Sequence, residues 1–217
     1  MDQVFAPGCA LMLYKPELGA RLLEFLRGAH GALPEHLTCC KHEPGLTAGT
    51  RVINVCAGCD RRYRELYPGI TTISLWEVLA ADPSFPFPDY GGAAMAVQDA
   101  CPTRSEARVA EAVRALLARM NIVAVEPERT RAQAVCCGDS FYPALPLPAV
   151  HDLMRKRAAE MPCEDVVVYC VSCVKAMHIG GRRPRYLVDL LFGEPTGTGV
   201  YETEAWHAQV EAFAASH

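Results

Sequence analysis

Ten of the eleven cysteines fall into two sets with the same internal order. The first is Cys9, the adjacent pair Cys39 and Cys40, then Cys56 and Cys59 with two residues between them. The second is Cys101, the pair Cys136 and Cys137, then Cys170 and Cys173 at the same two-residue interval. Cys163 alone stands outside. A vicinal pair does not readily close its own disulfide, because the eight-membered ring strains the peptide between the two residues. Two such pairs, in "LTCCKHEPG" and "AVCCGDSFY", therefore ask for another chemistry. Soft thiolates select zinc or iron–sulfur and disfavour magnesium or calcium. A structural zinc takes four ligands in a tetrahedron, usually from two knuckles, so five thiols are one too many. Cubane clusters take four cysteines, commonly three of them closely spaced, and the spacing here is not of that kind. Five thiolates suit a larger or irregular iron–sulfur assembly in which neighbouring cysteines reach different metal atoms. Structural zinc and buried, unligated thiols stand as the alternative readings.

The surroundings of the cysteines repeat as well. Each first cysteine follows a short strand-like run, "QVFAPGC" and "AAMAVQDAC". A helical pattern comes next. In the first half Pro16 sits near its first position, and Leu18, Leu22, Leu23 and Leu26 share one face. In the second half Thr103 and Glu106 suit a capping box, ahead of an apolar face of Val109, Val113, Leu116 and Leu117. The vicinal pair falls in a loop, and a β-branched run then leads into the two-residue-spaced cysteines: "TRVINVCAGC" and "EDVVVYCVSC". Each half closes with a short apolar helix, "SLWEVLA" and "RYLVDLLFG". Between Cys137 and Cys170 lie 32 residues, including the helical stretch "LPAVHDLMRKRAAEM"; between Cys40 and Cys56 lie only 15, so the first half lacks about one helix.

Strands alternating with helices predict an α/β fold of two pseudo-symmetric Rossmann-like lobes, each with a mainly parallel sheet and flanking helices. The expected divisions are 1–84 for a shortened first repeat, 85–195 for a complete second repeat, and 196–217 for a C-terminal helical extension. That extension has Trp206, Val210 and Phe213 on one side, and its exposed face is a candidate contact for a partner. Residues 81–92, rich in proline and glycine, read as the linker. The cysteines fall at strand ends and in the loops that follow, where α/β sheets place their sites.

Composition narrows the classes. The 217 residues are 51% apolar and carry a formal net charge of −4, which gives no bulk electrostatic case for nucleic acid or an anionic membrane. No apolar run reaches the eighteen or so residues of a membrane span. The N-terminus lacks the basic start of a secretory signal, so a cytoplasmic location is expected, and with it metal or redox use of the cysteines over a disulfide scaffold. No glycine-rich phosphate loop is present, so no bound nucleotide or flavin is expected.

The order C…CCG…CxxC resembles the cysteine-rich CCG domain of heterodisulfide reductases and their relatives, over two copies spanning residues 1 to about 193. By that resemblance each complete motif holds a non-cubane [4Fe-4S] cluster through five cysteines, and the cluster acts on a substrate disulfide. Cys101, Cys136, Cys137, Cys170 and Cys173 would hold one such cluster. The first copy, Cys9, Cys39, Cys40, Cys56 and Cys59, departs from the pattern: Lys41 replaces the glycine and the gap is half as long. A second iron–sulfur cluster or zinc is expected there, as in relatives whose N-terminal site holds zinc. The resemblance implies an iron–sulfur oxidoreductase subunit acting on a small thiol or disulfide. An iron–sulfur or flavin electron-donor subunit would feed it within a hetero-complex. A non-catalytic electron-transfer or docking subunit and a zinc-stabilised interaction module are the alternatives. Arg182, Arg183, Arg185 and Lys175 are candidates for an anionic substrate or partner face. His42 and His178 read as residues near the sites, and Cys163 as a structural thiol.

Overall fold

The computed structural model describes residues 2–197 and 202–217, which divide into two units, 1–85 with 207–217, and 86–206. The first unit runs β1 (Gln3–Ala6), α1 (Gly8–Tyr14), α2 (Pro16–His30), β2 (Arg51–Asn54), α3 (Ala57–Leu66), β3 (Thr71–Ser74) and α4 (Leu75–Ala81). The second runs β4 (Ala93–Gln98), α5 (Ala107–Arg119), β5 (Ile122–Val125), α6 (Leu147–Ala159), β6 (Asp165–Val168), α7 (Val171–Ile179), β7 (Arg183–Tyr186) and α8 (Leu187–Leu191). A last helix, α9 (Thr203–Ser216), begins in the second unit and ends in the first. It presents Thr203, Trp206 and Ala214 as buried positions, with Val210 and Phe213 half-buried beside them.

Both sheets are wholly parallel. The first has the order β1-β2-β3, and the second β5-β4-β6-β7. Helices on a parallel sheet bury both faces, so the strands are short and apolar rather than alternating. Val166, Val167 and Val168 are fully buried, and Val52 and Ile53 nearly so. The two orders match once one residue is added. In the first unit Phe5 makes a single parallel bridge to Glu35, through Phe5 N–H to Pro34 O (2.9 Å) and His36 N–H to Phe5 O (2.8 Å). That bridge stands where β5 stands beside β4. The repeat is thus an α/β unit present twice, with β5 reduced to one bridge and α6 absent from the first copy.

The anticipated helix faces are formed. Leu18, Leu22, Leu23 and Leu26 are buried on α2, which starts with Pro16 at a first-turn position. Val109, Val113, Leu116 and Leu117 are buried on α5. The capping box expected of Thr103 and Glu106 does not form: Glu106 precedes α5 without a side-chain cap. Thr103 instead donates to Ala100 O (2.8 Å) within a short 3-10 turn, and meets the Tyr169 hydroxyl at 3.0 Å. A complete capping box occurs at α4, where Ser74 and Glu77 answer each other's backbone N–H groups. Three edge strands and three helices were not anticipated: β3, β5 and β7, and α1, α3 and α7. β7 is the sequence "RPRY", and Pro184 fits it because an edge strand can leave one N–H side unpaired.

Candidate metal centre

In each unit three strand-end segments carry the five thiols. Cys9 lies on the first turn of α1, directly after β1; Cys101 opens the 3-10 turn (Cys101–Thr103) that follows β4. Cys56 and Cys170 are the extended residues that precede α3 and α7, and Cys59 and Cys173 sit in the first turns of those helices. Each two-residue interval therefore wraps a helix N-terminus, where backbone N–H groups have no intrahelical partner. In the first unit those of Gly58 and Cys59 point at the Cys56 sulfur. The vicinal pairs complete the sets from loops.

The thiols meet in chains. In the second unit Cys101 hydrogen-bonds Cys136, Cys136 bonds Cys137, Cys137 bonds Cys173, and Cys173 bonds Cys170. In the first unit Cys39, Cys40, Cys59 and Cys56 are linked in the same way, and Cys9 lies within electrostatic reach of Cys56, Cys39 and Cys40. All ten sequence-selected cysteines are thus brought together, five in each unit. Among the described residues, no three His, Cys, Asp or Glu side chains surround one point in the manner of a single-ion site.

The strings divide into acceptors and donors. Cys136 is pushed well below the usual thiol range by hydrogen bonds from Cys101 and Cys137. Ser140 Oγ (2.9 Å) and the Gly138 N–H (3.4 Å) also reach its sulfur. Its donors Cys101 and Cys137 are pushed up correspondingly. In the first unit a hydrogen bond from Cys59 is the main cause that brings Cys56 down to about 6, and Cys40 is lowered by the same donor. Burial, with the neighbouring thiols, pushes Cys9 up to about 12. Such ladders are what closely packed thiols adopt when only some can carry a proton.

A polar network holds the second set in place. Asp99 and Gln98, at the end of β4, are buried. Arg114 of α5 pairs with both Asp99 oxygens, and Asp99 also accepts from the Arg131 N–H (2.7 Å), Thr130 Oγ1 (3.0 Å) and Tyr169 OH (2.9 Å). Burial works against this carboxylate, yet those partners hold it below the usual range. Gln98 donates to Val135 O (3.0 Å) and accepts from Arg157 Nε (2.6 Å). The loop before Cys136 is thereby tied to β4, α5 and α6. Sequence reasoning passed over Gln98, Asp99, Arg114, Ser140 and Arg157. The one available signal was the polar pair in "VQDAC", at the end of an otherwise apolar strand.

Gly138 adopts φ +108°. A Cβ there would lie 2.9 Å from Met154 N and 3.2 Å from Leu153 C, so the glycine lets the cysteine loop press against the α6 backbone. Lys175 is only 2% exposed and lies 2.5 Å from Asp139 Oδ1, a close pair that is not aligned as a hydrogen bond. It fastens the residue after Gly138 to α7. Arg182 donates to Ala158 O (2.9 Å), Arg183 pairs with Glu164 (2.6 Å), and Arg185 pairs with Asp165 (3.5 Å). Arg183 stands opposite Asp165, at the end of β6 away from Cys170. The arginine run is therefore an edge strand engaged with its neighbours at the far end of the sheet. His42 bonds Ala214 O (2.7 Å), His178 is an exposed residue of α7, and Cys163 is half-buried ahead of β6.

A pocket opens onto a cysteine. A cavity of about 240 Å³ has Cys136 in its wall, between the cysteine loop and α6. A wider cleft of about 640 Å³ in the first unit, lined by residues such as Gln3, Pro34 and Thr50, contains no cysteine.

No family model matches the chain, and no curated protein does. Among solved structures, aspartate racemase from Picrophilus torridus matches at a TM-score of 0.31 and 10% identity, covering 100% of this chain and 94% of the racemase. A likeness that slight carries neither fold detail nor activity across. No helix among the described residues is long and apolar enough to cross a membrane.

Proposed function

We propose that this chain is an iron–sulfur oxidoreductase subunit of the CCG-domain kind, acting on a small thiol or disulfide. The observation that carries the reading is that Cys136 belongs to a string of five thiols and also lines a pocket. An all-thiol donor set fits iron–sulfur chemistry and excludes hard cations. Cys101, Cys136, Cys137, Cys170 and Cys173 would hold a non-cubane [4Fe-4S] cluster, and Cys9, Cys39, Cys40, Cys56 and Cys59 a second cluster or zinc. When bound, such a group supplies one-electron storage next to the substrate.

The chain's own residues do the rest. Ser140 and the Gly138 N–H stabilise negative charge on the Cys136 sulfur. Beside the thiol of Cys59, the backbone N–H groups at the start of α3 favour thiolate over thiol at Cys56. Arg114, Asp99 and Tyr169 fix the loop against β4, so that the sulfurs are ordered before any ligand arrives. A disulfide takes two electrons and two protons to become two thiols. Nothing in the chain besides the cysteine sites is suited to deliver electrons, so a donor subunit carrying iron–sulfur or flavin is part of the proposal. A pure electron-relay role would want its thiols sealed from substrate; the pocket at Cys136 favours chemistry at that sulfur.

The test is turnover by the full chain, purified without oxygen, with reduced methyl viologen as electron donor and 3,3′-dithiodipropionate as disulfide. The reading expects viologen oxidation that continues through many equivalents and disappears in Cys136→Ser. Consumption that stops once the protein itself is reduced would refute it.

A further inference from the structure

We propose that the pocket beside Cys136 recognises the carboxylate of a small organic anion through Arg104 and Lys156. Its wall holds four cations, Arg104, Arg129, Lys156 and Arg157, against one carboxylate, Glu160. The chain as a whole is acidic, at −4, so this concentration does not mirror bulk composition.

The four cations are not equivalent. Arg157 is buried and fully used: Nε meets Gln98 Oε1 (2.6 Å), Nη1 meets Glu160 Oε2 (2.6 Å) and Nη2 meets Arg129 O (2.9 Å). Arg129 pairs with the other oxygen of Glu160. These two belong to the scaffold, and they use up the only carboxylate. Arg104 and Lys156 are exposed, and neither has a carboxylate within ion-pair distance among the described residues. Arg104 is nevertheless anchored, because its Nε donates to Ala134 O two residues before Cys136. A guanidinium held by one nitrogen is oriented in advance for a planar carboxylate. Val135, Phe141 and Leu153 supply apolar wall for the uncharged body of the ligand. At about 240 Å³ the cavity is below the usual ~300–1,000 Å³ of drug-sized sites, so the ligand is small. Leu153, Lys156, Arg157 and Glu160 sit on or just after α6, the helix that the first unit lacks. The pocket is therefore a property of the complete repeat. That the bound anion is the reacting substrate rests on the proposed redox function; that the pocket binds an anion does not.

Calorimetric titration of the full chain with 3,3′-dithiodipropionate and with its dimethyl ester at low ionic strength tests this. The dianion should bind at least about ten-fold more tightly than the ester. Arg104→Glu and Lys156→Glu should each weaken the dianion by at least about ten-fold. Arg155→Glu makes the same charge change one residue along α6, outside the pocket, and should stay within about two-fold of wild type. Equal binding of ester and dianion would overturn the proposal. So would Arg104→Glu and Lys156→Glu variants that bind like wild type. Iron and acid-labile sulfide measured on the same samples separate the two claims. Binding that depends on Lys156 in a chain that never holds iron keeps the pocket and removes the redox role. An iron-loaded chain with no such binding does the reverse.

Discussion

Replacing Gly138 by alanine asks whether the loop carrying Cys136 and Cys137 is held by its contact with α6. Two costs arise. The first is backbone strain: φ +108° lies beyond the ordinary left-handed well, which costs a non-glycine residue about 1–3 kcal/mol. The second is steric. The new Cβ would fall 2.9 Å from Met154 N, 3.0 Å from Met154 Cγ and 3.2 Å from Leu153 C. Two of those atoms are backbone, so the helix itself must shift, at about 1–3 kcal/mol. The sum is about 2–6 kcal/mol. Gly91 supplies the control, because it also has positive φ (+63°) but a Cβ there would meet nothing within 4 Å. Gly91→Ala should cost only about 1 kcal/mol, the strain alone. Urea unfolding of both variants reads the difference directly. Gly138→Ala should also retain less iron and sulfide per chain, because the displaced helix releases the loop. If the two substitutions cost the same within about 0.5 kcal/mol, the close approach to α6 is not what Gly138 is for.

Two further outcomes follow from the packing and the buried network. Gly180 has an ordinary φ, yet a Cβ there would lie 2.1 Å from the Cβ of Ala158, so Gly180→Ala should cost about 1–3 kcal/mol in thermal unfolding. The double variant with Ala158→Gly should recover part of that loss; no recovery would contradict the contact. Arg114→Leu leaves Asp99, 1% exposed, without its charge partner and should cost about 3–5 kcal/mol in urea unfolding, whereas a cost under about 1 kcal/mol would mean that the remaining partners suffice.

The α/β class with a parallel sheet in each half was readable from the chain because its signals were local: β-branched runs before each CxxC pair, and leucines at helical spacing on α2. The grouping of five cysteines in each unit was readable because the repeat placed three of each set where a strand gives way to a helix and the vicinal pair in a loop. What escaped had non-local causes. β7 is written "RPRY", a sequence whose proline and charges say turn; it is a strand because it can pair with β6 while leaving its other edge open. Thr103 and Glu106 have capping-box spacing, but tertiary bonding to Ala100 and Tyr169 claims Thr103 first. Lys175 and the arginine run were candidate ligand contacts by charge alone; the pairing of Lys175 with Asp139 depends on how α7 packs against the cysteine loop, and that of Arg183 and Arg185 with Glu164 and Asp165 on strand register, neither of which a local pattern encodes. The pocket cations Arg104 and Lys156 are far apart in sequence and meet only because α6 lies against the cysteine loop.

The central claim is that the two strings of thiols are iron–sulfur sites, with the second complete. Iron, zinc and acid-labile sulfide per chain, on protein purified without oxygen, test it most directly when wild type is set beside Cys136→Ser. The account predicts about four irons with matching sulfide in the second unit, lost in the variant, and either a further cluster or one zinc in the first. Zinc without iron or sulfide in the wild type, or iron unaffected by Cys136→Ser, would contradict it.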